Sequence, residues 1–168
     1  MKKQWSIVIL LLVFVLSACS QQTVNVTLTK ETLGGESVDE WLAAEEMKAE
    51  SVVDNEDGTV TFELKKEDQQ QILKEMHENF KAMDLSEFAS IETIGVNQEM
   101  TNVVVEVSSE ENFINSLDSF VILGLGITTT MYQAFDGKTG NDISTKIQLK
   151  EQGGDVFNEM NFPQDLAE

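Results

Sequence analysis

Phe120-Val121-Ile122-Leu123-Gly124-Leu125-Gly126-Ile127 is the stretch whose reading decides the fold. An apolar run of this length fits a buried strand or part of a buried helix, and periodicity alone does not separate them. Each glycine costs about 1 kcal/mol relative to alanine inside a helix, which favours the strand. Against that, Leu117, Val121, Gly124 and Thr128 fall at helical spacing, and Gly124 in that row would let another backbone approach closely. The helix is the preferred reading and the buried strand its rival. On this reading Ser108 and Glu111 form a capping box that opens a third helix. The helix carries Phe113, Ile114, Leu117, Phe120, Val121 and Leu125 inward and runs to about Gln133 or Ala134.

The chain on the N-terminal side then falls into units. Val24, Val26 and Leu28 alternate with polar residues, as in a strand with one buried face. Gly34-Gly35 interrupts it, and Ser37 to Glu40 is a second capping box. The helix it starts, about four turns long, carries Val38, Trp41, Leu42 and Ala49. Ser51 to Val53 and Val60 to Leu64 read as a hairpin around Asp54-Asn55-Glu56-Asp57-Gly58, with Gly58 suited to a positive φ. Ile72, Leu73, Met76, Phe80 and Met83 mark a second helix over about Glu67 to Met83. Ile91 to Val96 and Thr101 to Val107 read as two further strands. Beyond the third helix, Asp136 to Asn141 is loop. Ile143 to Leu149 and Val156 to Phe162 form the last two strands, which Pro163 closes. The order is strand, helix, two strands, helix, two strands, helix, two strands. It predicts an α+β fold: a largely antiparallel sheet of hairpins with about three helices packed on one face.

The first residues carry a different signal. Lys2 and Lys3 precede an unbroken apolar run from Ile7 to Leu16, and small residues lead to Cys19. This is the plan of a secretory signal peptide, and the run falls short of the roughly 20 residues that span a bilayer. Leu16-Ser17-Ala18-Cys19 resembles the bacterial lipobox. That resemblance implies diacylglycerol on the Cys19 thiol, cleavage before it, and a new N-terminus at Cys19. Cys19 is the single cysteine of the chain, so a lipidated chain has no thiol left for a disulfide. The expected organisation is a signal peptide over 1–18, lipidated Cys19 with a short tether over 19–23, and one α+β domain over 24–168. The protein is then expected on the outer face of the cell membrane, held by lipid on Cys19.

Charge removes other classes. The 168 residues carry a formal net charge of −19, with 30 Asp and Glu against 11 Lys and Arg. None of those 11 is an arginine. Nucleic-acid binding needs the opposite electrostatic footprint, so no nucleic-acid partner is expected. No catalytic, cofactor-binding or metal-binding residues are assigned. His77 is the single histidine, and one histidine without cysteine or serine beside it makes neither a zinc site nor a nucleophile–base pair. Asp54, Glu56 and Asp57 lack the alternating ligands and closing glutamate of a calcium loop.

Several segments together resemble a known group: Val60-Thr61-Phe62, Asp118 to Gly126, Met131-Tyr132-Gln133-Ala134-Phe135 and Phe162-Pro163-Gln164-Asp165-Leu166. The chain is similar over nearly its whole mature length to small lipoproteins of Gram-positive bacteria related to the N-terminal region of antigen I/II-type adhesins. The resemblance implies an α+β domain on the outer face of the cell membrane of a Gram-positive bacterium, and it carries no catalytic residues. The functional expectation is a non-enzymatic interaction or accessory module with an extracytoplasmic protein partner. The alternatives are a small-ligand or cation-binding lipoprotein and, behind it, a hydrolase built on paired carboxylates.

Overall fold

The computed structural model describes residues 22–30, 32–34, 38–44 and 47–166. Cys19, the expected signal peptide and the expected Ser37 cap lie outside the described residues. Two sheets are present. The first holds β1 (Thr23–Thr29), β2 (Ser51–Asp54) and β3 (Thr59–Lys65) in the order β1-β3-β2, all antiparallel. The second holds β4 (Ile91–Val96), β5 (Asn102–Val107), β6 (Thr145–Glu151) and β7 (Val156–Phe162) in that order. Its outer pairs are antiparallel and β5–β6 is parallel. The helices are α1 (Val38–Ala44), α2 (Lys66–Lys81), α3 (Glu110–Asn115) and α4 (Val121–Phe135). The fold is α+β and mostly antiparallel, as expected. Among the described residues, however, it has two sheets where one was expected and four helices where about three were. The first helix covers Val38–Ala44 with Ala49 outside it, short of the expected four turns.

Each sheet buries alternate residues of its central strands. Val60, Phe62 and Leu64 of β3 point into one core with Val26, Leu28, Trp41 and Phe135. Val103, Val105 and Val107 of β5 point into the other with Ile147, Leu149, Phe113 and Leu125. Trp41 stacks on Phe62 with ring centroids 5.7 Å apart.

Two helices serve both cores. In α2, Ile72, Leu73 and Met76 face the first sheet and Phe80 the second. In α4, Ile122 and Leu125 belong to the second core and Ala134 and Phe135 to the first. This double duty accounts for the buried Ile122 and Leu125 of the Phe120–Ile127 run, while Phe120, Leu123 and Ile127 are exposed on another side. The helical reading of the run holds.

Three further expectations are corrected. The last long helix is not continuous. Ser116 adopts φ −101° and ψ 169°, an extended backbone that ends α3, and its hydroxyl accepts from the Asp118 N–H at 3.1 Å. A 3₁₀ turn over Leu117–Phe120 follows, and α4 begins at Val121. The cap of α3 is Ser109, whose Oγ accepts from Asn112 N–H, and not Ser108. The second correction concerns hairpins. The run from α3 to α4 is a crossover and not a hairpin, because β5 and β6 are parallel and the chain must return to the end where β5 began before β6 can start. The third concerns Gly124, which is exposed with open space around it. Gly126 is the glycine of close approach: a Cβ there would enter the ring of Phe162.

Two buried polar knots fix the crossover. Asp118 is 8% exposed and accepts from both Ser90 N–H at 2.7 Å and Ser90 Oγ at 2.6 Å. The Ser90 hydrogen bonds hold the Asp118 carboxyl below its ordinary value of 3.8, outweighing the opposing effect of burial. The folded state therefore binds this proton less tightly than the unfolded state. The contribution to stability is complete above the unfolded value and is lost as pH falls through the lower folded one. Asp118→Asn is expected to flatten that acid limb, and Asp118→Ala to cost about 2–3 kcal/mol because Ser90 N–H loses a charged acceptor. Urea unfolding of the three proteins from about pH 6 to pH 2 reads both effects; parallel curves for parent and Asp118→Asn would contradict the assignment.

The second knot is Gln133, fully buried in α4. Its Nε2 donates to Met100 O at 3.0 Å and Thr145 Oγ1 at 2.8 Å, and its Oε1 accepts from Ser144 N–H at 3.2 Å. Thr145 Oγ1 donates to the same Met100 carbonyl. Met100 is itself fully buried and has φ 50°, a left-handed conformation unusual for a residue with a side chain.

Candidate docking surface

The break at Ser116 has a consequence for the surface. It resets the helical register, so the apolar residues of 113–127 divide between two faces. Phe113, Ile122 and Leu125 are buried. Ile114, Leu117, Phe120, Leu123 and Ile127 are 61%, 81%, 71%, 47% and 41% exposed. Leu117 and Phe120 are three apart in the 3₁₀ turn and so lie one above the other. Phe120, Leu123 and Ile127 continue the row at the three- and four-residue steps that place neighbours on one helix face. Single exposed apolar residues need no explanation, but a continuous row of large ones marks an interaction surface.

The row ends in a groove of about 770 Å³. It is lined by Leu123 and Ile127 of α4, Thr27 to Thr29 of β1, Ile143 and Pro163. Among the described residues no charged side chain lines it. Its polar groups are mainly hydroxyls. Thr27 and Thr61 pair at 3.0 Å, and Thr29 pairs with Thr32 at 2.8 Å. Thr130 Oγ1 is buried in this wall without a partner.

A second, smaller groove of about 520 Å³ lies between α2 and the loop after β4. His77 and Tyr132 face each other there with ring centroids 6.2 Å apart. Tyr132 donates to Gln98 O at 3.3 Å, and burial, helped by Asp136, pushes its phenol up. His77 Nδ1 is buried without a partner. Glu78 is the carboxylate of this lining and is engaged with Lys74 at 3.8 Å. Among the described residues the lining supplies no thiol, aliphatic hydroxyl or second carboxylate beside His77, and its phenol, on Tyr132, is engaged with Gln98 O.

Among the described residues no group of three or more His, Cys, Asp and Glu is placed to hold a metal ion. Asp54, one of the three carboxylates of the β2–β3 turn, pairs with Lys30 at 2.8 Å. Asp57 accepts from Thr59 N–H and Oγ1, as in an Asx turn. These carboxylates shape a hairpin.

Reading the sequence for one core stripe assigned Ile114, Leu117 and Phe120 to the interior. The available signal was the presence of two apolar rows in 113–127 where a single helix face has room for one. Comparison with protein-family models, with curated proteins and with solved structures gave no match. The site is therefore argued from its own geometry.

Proposed function

We propose that this chain is a lipid-anchored extracytoplasmic module that works without catalysis, by docking a protein partner on the Leu117–Ile127 row. The observation that carries the reading is that row: large apolar side chains exposed in series and leading into a groove with no charged side chain among the described residues. The anchor comes from the lipobox-like sequence at Cys19, where two acyl chains would give stable membrane attachment.

The placement of the row relative to the tether supports a protein rather than a lipid occupant. Lys66 N–H donates to Gln22 O at 2.8 Å, so the chain enters the domain beside the start of α2. Thr23 pairs with Lys65 there, and Thr29 pairs with Thr59 at the opposite end of β1. The groove meets Thr27 to Thr29 and Thr59, about 20 Å along the strand from the entry point. The groove that ends the row therefore lies at the opposite end of β1 from the end that the lipid would hold. A tether of about four residues reaches at most ~14 Å. With a domain about 40 Å across, the partner lies within about 55 Å of the bilayer, beneath a Gram-positive wall.

The test is site-specific photocrosslinking in intact cells, with a benzophenone side chain at Phe120 and, as a control, at Gln152 in the β6–β7 turn. A discrete protein adduct is expected from position 120 and none from 152. Leu117→Asp should reduce the adduct, and Cys19→Ala should abolish both lipid labelling and the adduct. Equal adducts from both positions, or none from position 120 in membrane-retained protein, would remove the row from consideration. Lipid incorporation into Cys19→Ala would remove the anchor.

A further inference from the structure

The surroundings of the row name the chemistry of its occupant; this rests on the docking reading above. Between Lys81 and Lys138 the chain has no lysine, arginine or histidine, and nine aspartates and glutamates. The row lies wholly inside that stretch. Glu110 and Glu111 are exposed one turn before Ile114. Asp118 holds Ser90, which brings the 82–90 loop with exposed Asp84 and Glu87 against the 3₁₀ turn. At the groove end, Asp142 and Asp165 are exposed next to the lining residues Ile143 and Gln164. The nearest amino groups are already engaged, Lys30 with Asp54 and Lys138 with Gln133 Oε1. The surface is thus an apolar strip with carboxylates at both ends.

We infer that the occupant is a cationic amphipathic helix of another protein, its apolar side on Leu117, Phe120, Leu123 and Ile127 and its Lys or Arg residues against Glu110, Glu111, Asp142 and Asp165. A row at three- and four-residue steps is a ridge that fits the groove between the side-chain rows of a second helix. From Leu117 to Ile127 the ridge is about 16 Å long, which a helix of about three turns covers. The open groove lets a terminal side chain of that helix sit between β1 and α4. A second copy of this chain is the poorer occupant, because a two-fold contact brings the same carboxylates face to face. An anionic bilayer is disfavoured for the same reason.

The experiment uses the full lipidated chain in zwitterionic nanodiscs with a benzophenone at Phe120, so that only occupancy of the row is recorded. The probes are biotinylated 18-residue peptides: an amphipathic Lys/Leu helix, its Glu/Leu counterpart, and a Lys/Leu peptide of the same composition in scrambled order. The Lys/Leu helix is expected to crosslink saturably, with half-saturation at least about tenfold below both others at low salt, a margin that shrinks at high ionic strength. Glu110→Lys with Glu111→Lys should narrow the gap between Lys/Leu and Glu/Leu helices, and Leu117→Asp should weaken both. If the Glu/Leu helix binds as well, the charge assignment is overturned while the row stands. Equal labelling by the scrambled peptide overturns the helix and leaves only charge attraction. A homodimeric adduct in place of peptide overturns the inference in favour of a second copy. Peptide labelling that Leu117→Asp does not change defeats the docking reading itself.

Discussion

Gly126→Leu is expected to destabilise the protein by about 3 kcal/mol, the upper end of what overpacking a core costs. Even a single added carbon at position 126 enters the Phe162 ring, and Phe162 is buried at the end of β7, so neither partner can turn away into solvent. The helix side is held as firmly. Thr129, fully buried one turn on, donates to both Leu125 O and Gly126 O. In a chain of this size the loss corresponds to a fall of about 10 °C in melting temperature. Gly124→Ala is the control. Its Cβ meets nothing within 4 Å, so the alanine should only gain helix propensity, up to about 1 kcal/mol. Thermal melts of both variants decide the matter. A Gly126→Leu melt within a degree or two of the parent, or a Gly124→Ala melt well below it, would contradict the seam.

Gln133→Leu is the second large effect, at about 3 kcal/mol. The leucine is close to the glutamine in size, so the cost is not a cavity. It comes from the groups left behind: Ser144 N–H loses its side-chain acceptor and the Met100 carbonyl loses one of its two donors. Buried groups orphaned in this way cost about 1–3 kcal/mol each. Thr145→Val removes the other donor to Met100. Because the two side chains also bond each other at 2.8 Å, the double variant should be less destabilised than the sum of the single ones. Urea unfolding of the four proteins measures this, and additive losses would show that Gln133 and Thr145 act separately.

Much of the fold follows from local pattern. Val60, Phe62 and Leu64 alternate because one face of β3 is covered, and the alternation is visible in any copy of the sequence. The same holds for Val103, Val105 and Val107. The division into two sheets is not local, since β1 passes over β2 to pair with β3, and only the packed molecule makes that choice. Nor is the break at Ser116 visible, because a serine inside a helical pattern can face solvent or cap a new turn with equal ease. That one residue separates the buried Phe113 from the exposed Leu117, so the candidate site was hidden by the same ambiguity. Gly124 and Gly126 were likewise indistinguishable as letters. Their rotation about the α4 axis, relative to Phe162 on a distant strand, tells them apart. Cys19 is the reverse case: the lipidation expected of it rests on its flanking residues alone.

The placement of β1 also sets how the domain would carry force. Under the proposed anchoring, a pull between the membrane and an occupant of the groove enters β1 near Thr23. The pull leaves through the groove lining on α4 and at Thr59 of β3, so β1 is drawn along its own axis against β3. It therefore shears the β1–β3 pairing along its length from Thr23↔Lys65 to Thr29↔Thr59, loading the ladder in common, where a pull at right angles would open it one pair at a time. The strand that follows the tether is thus joined to its neighbour in the geometry that resists tension best.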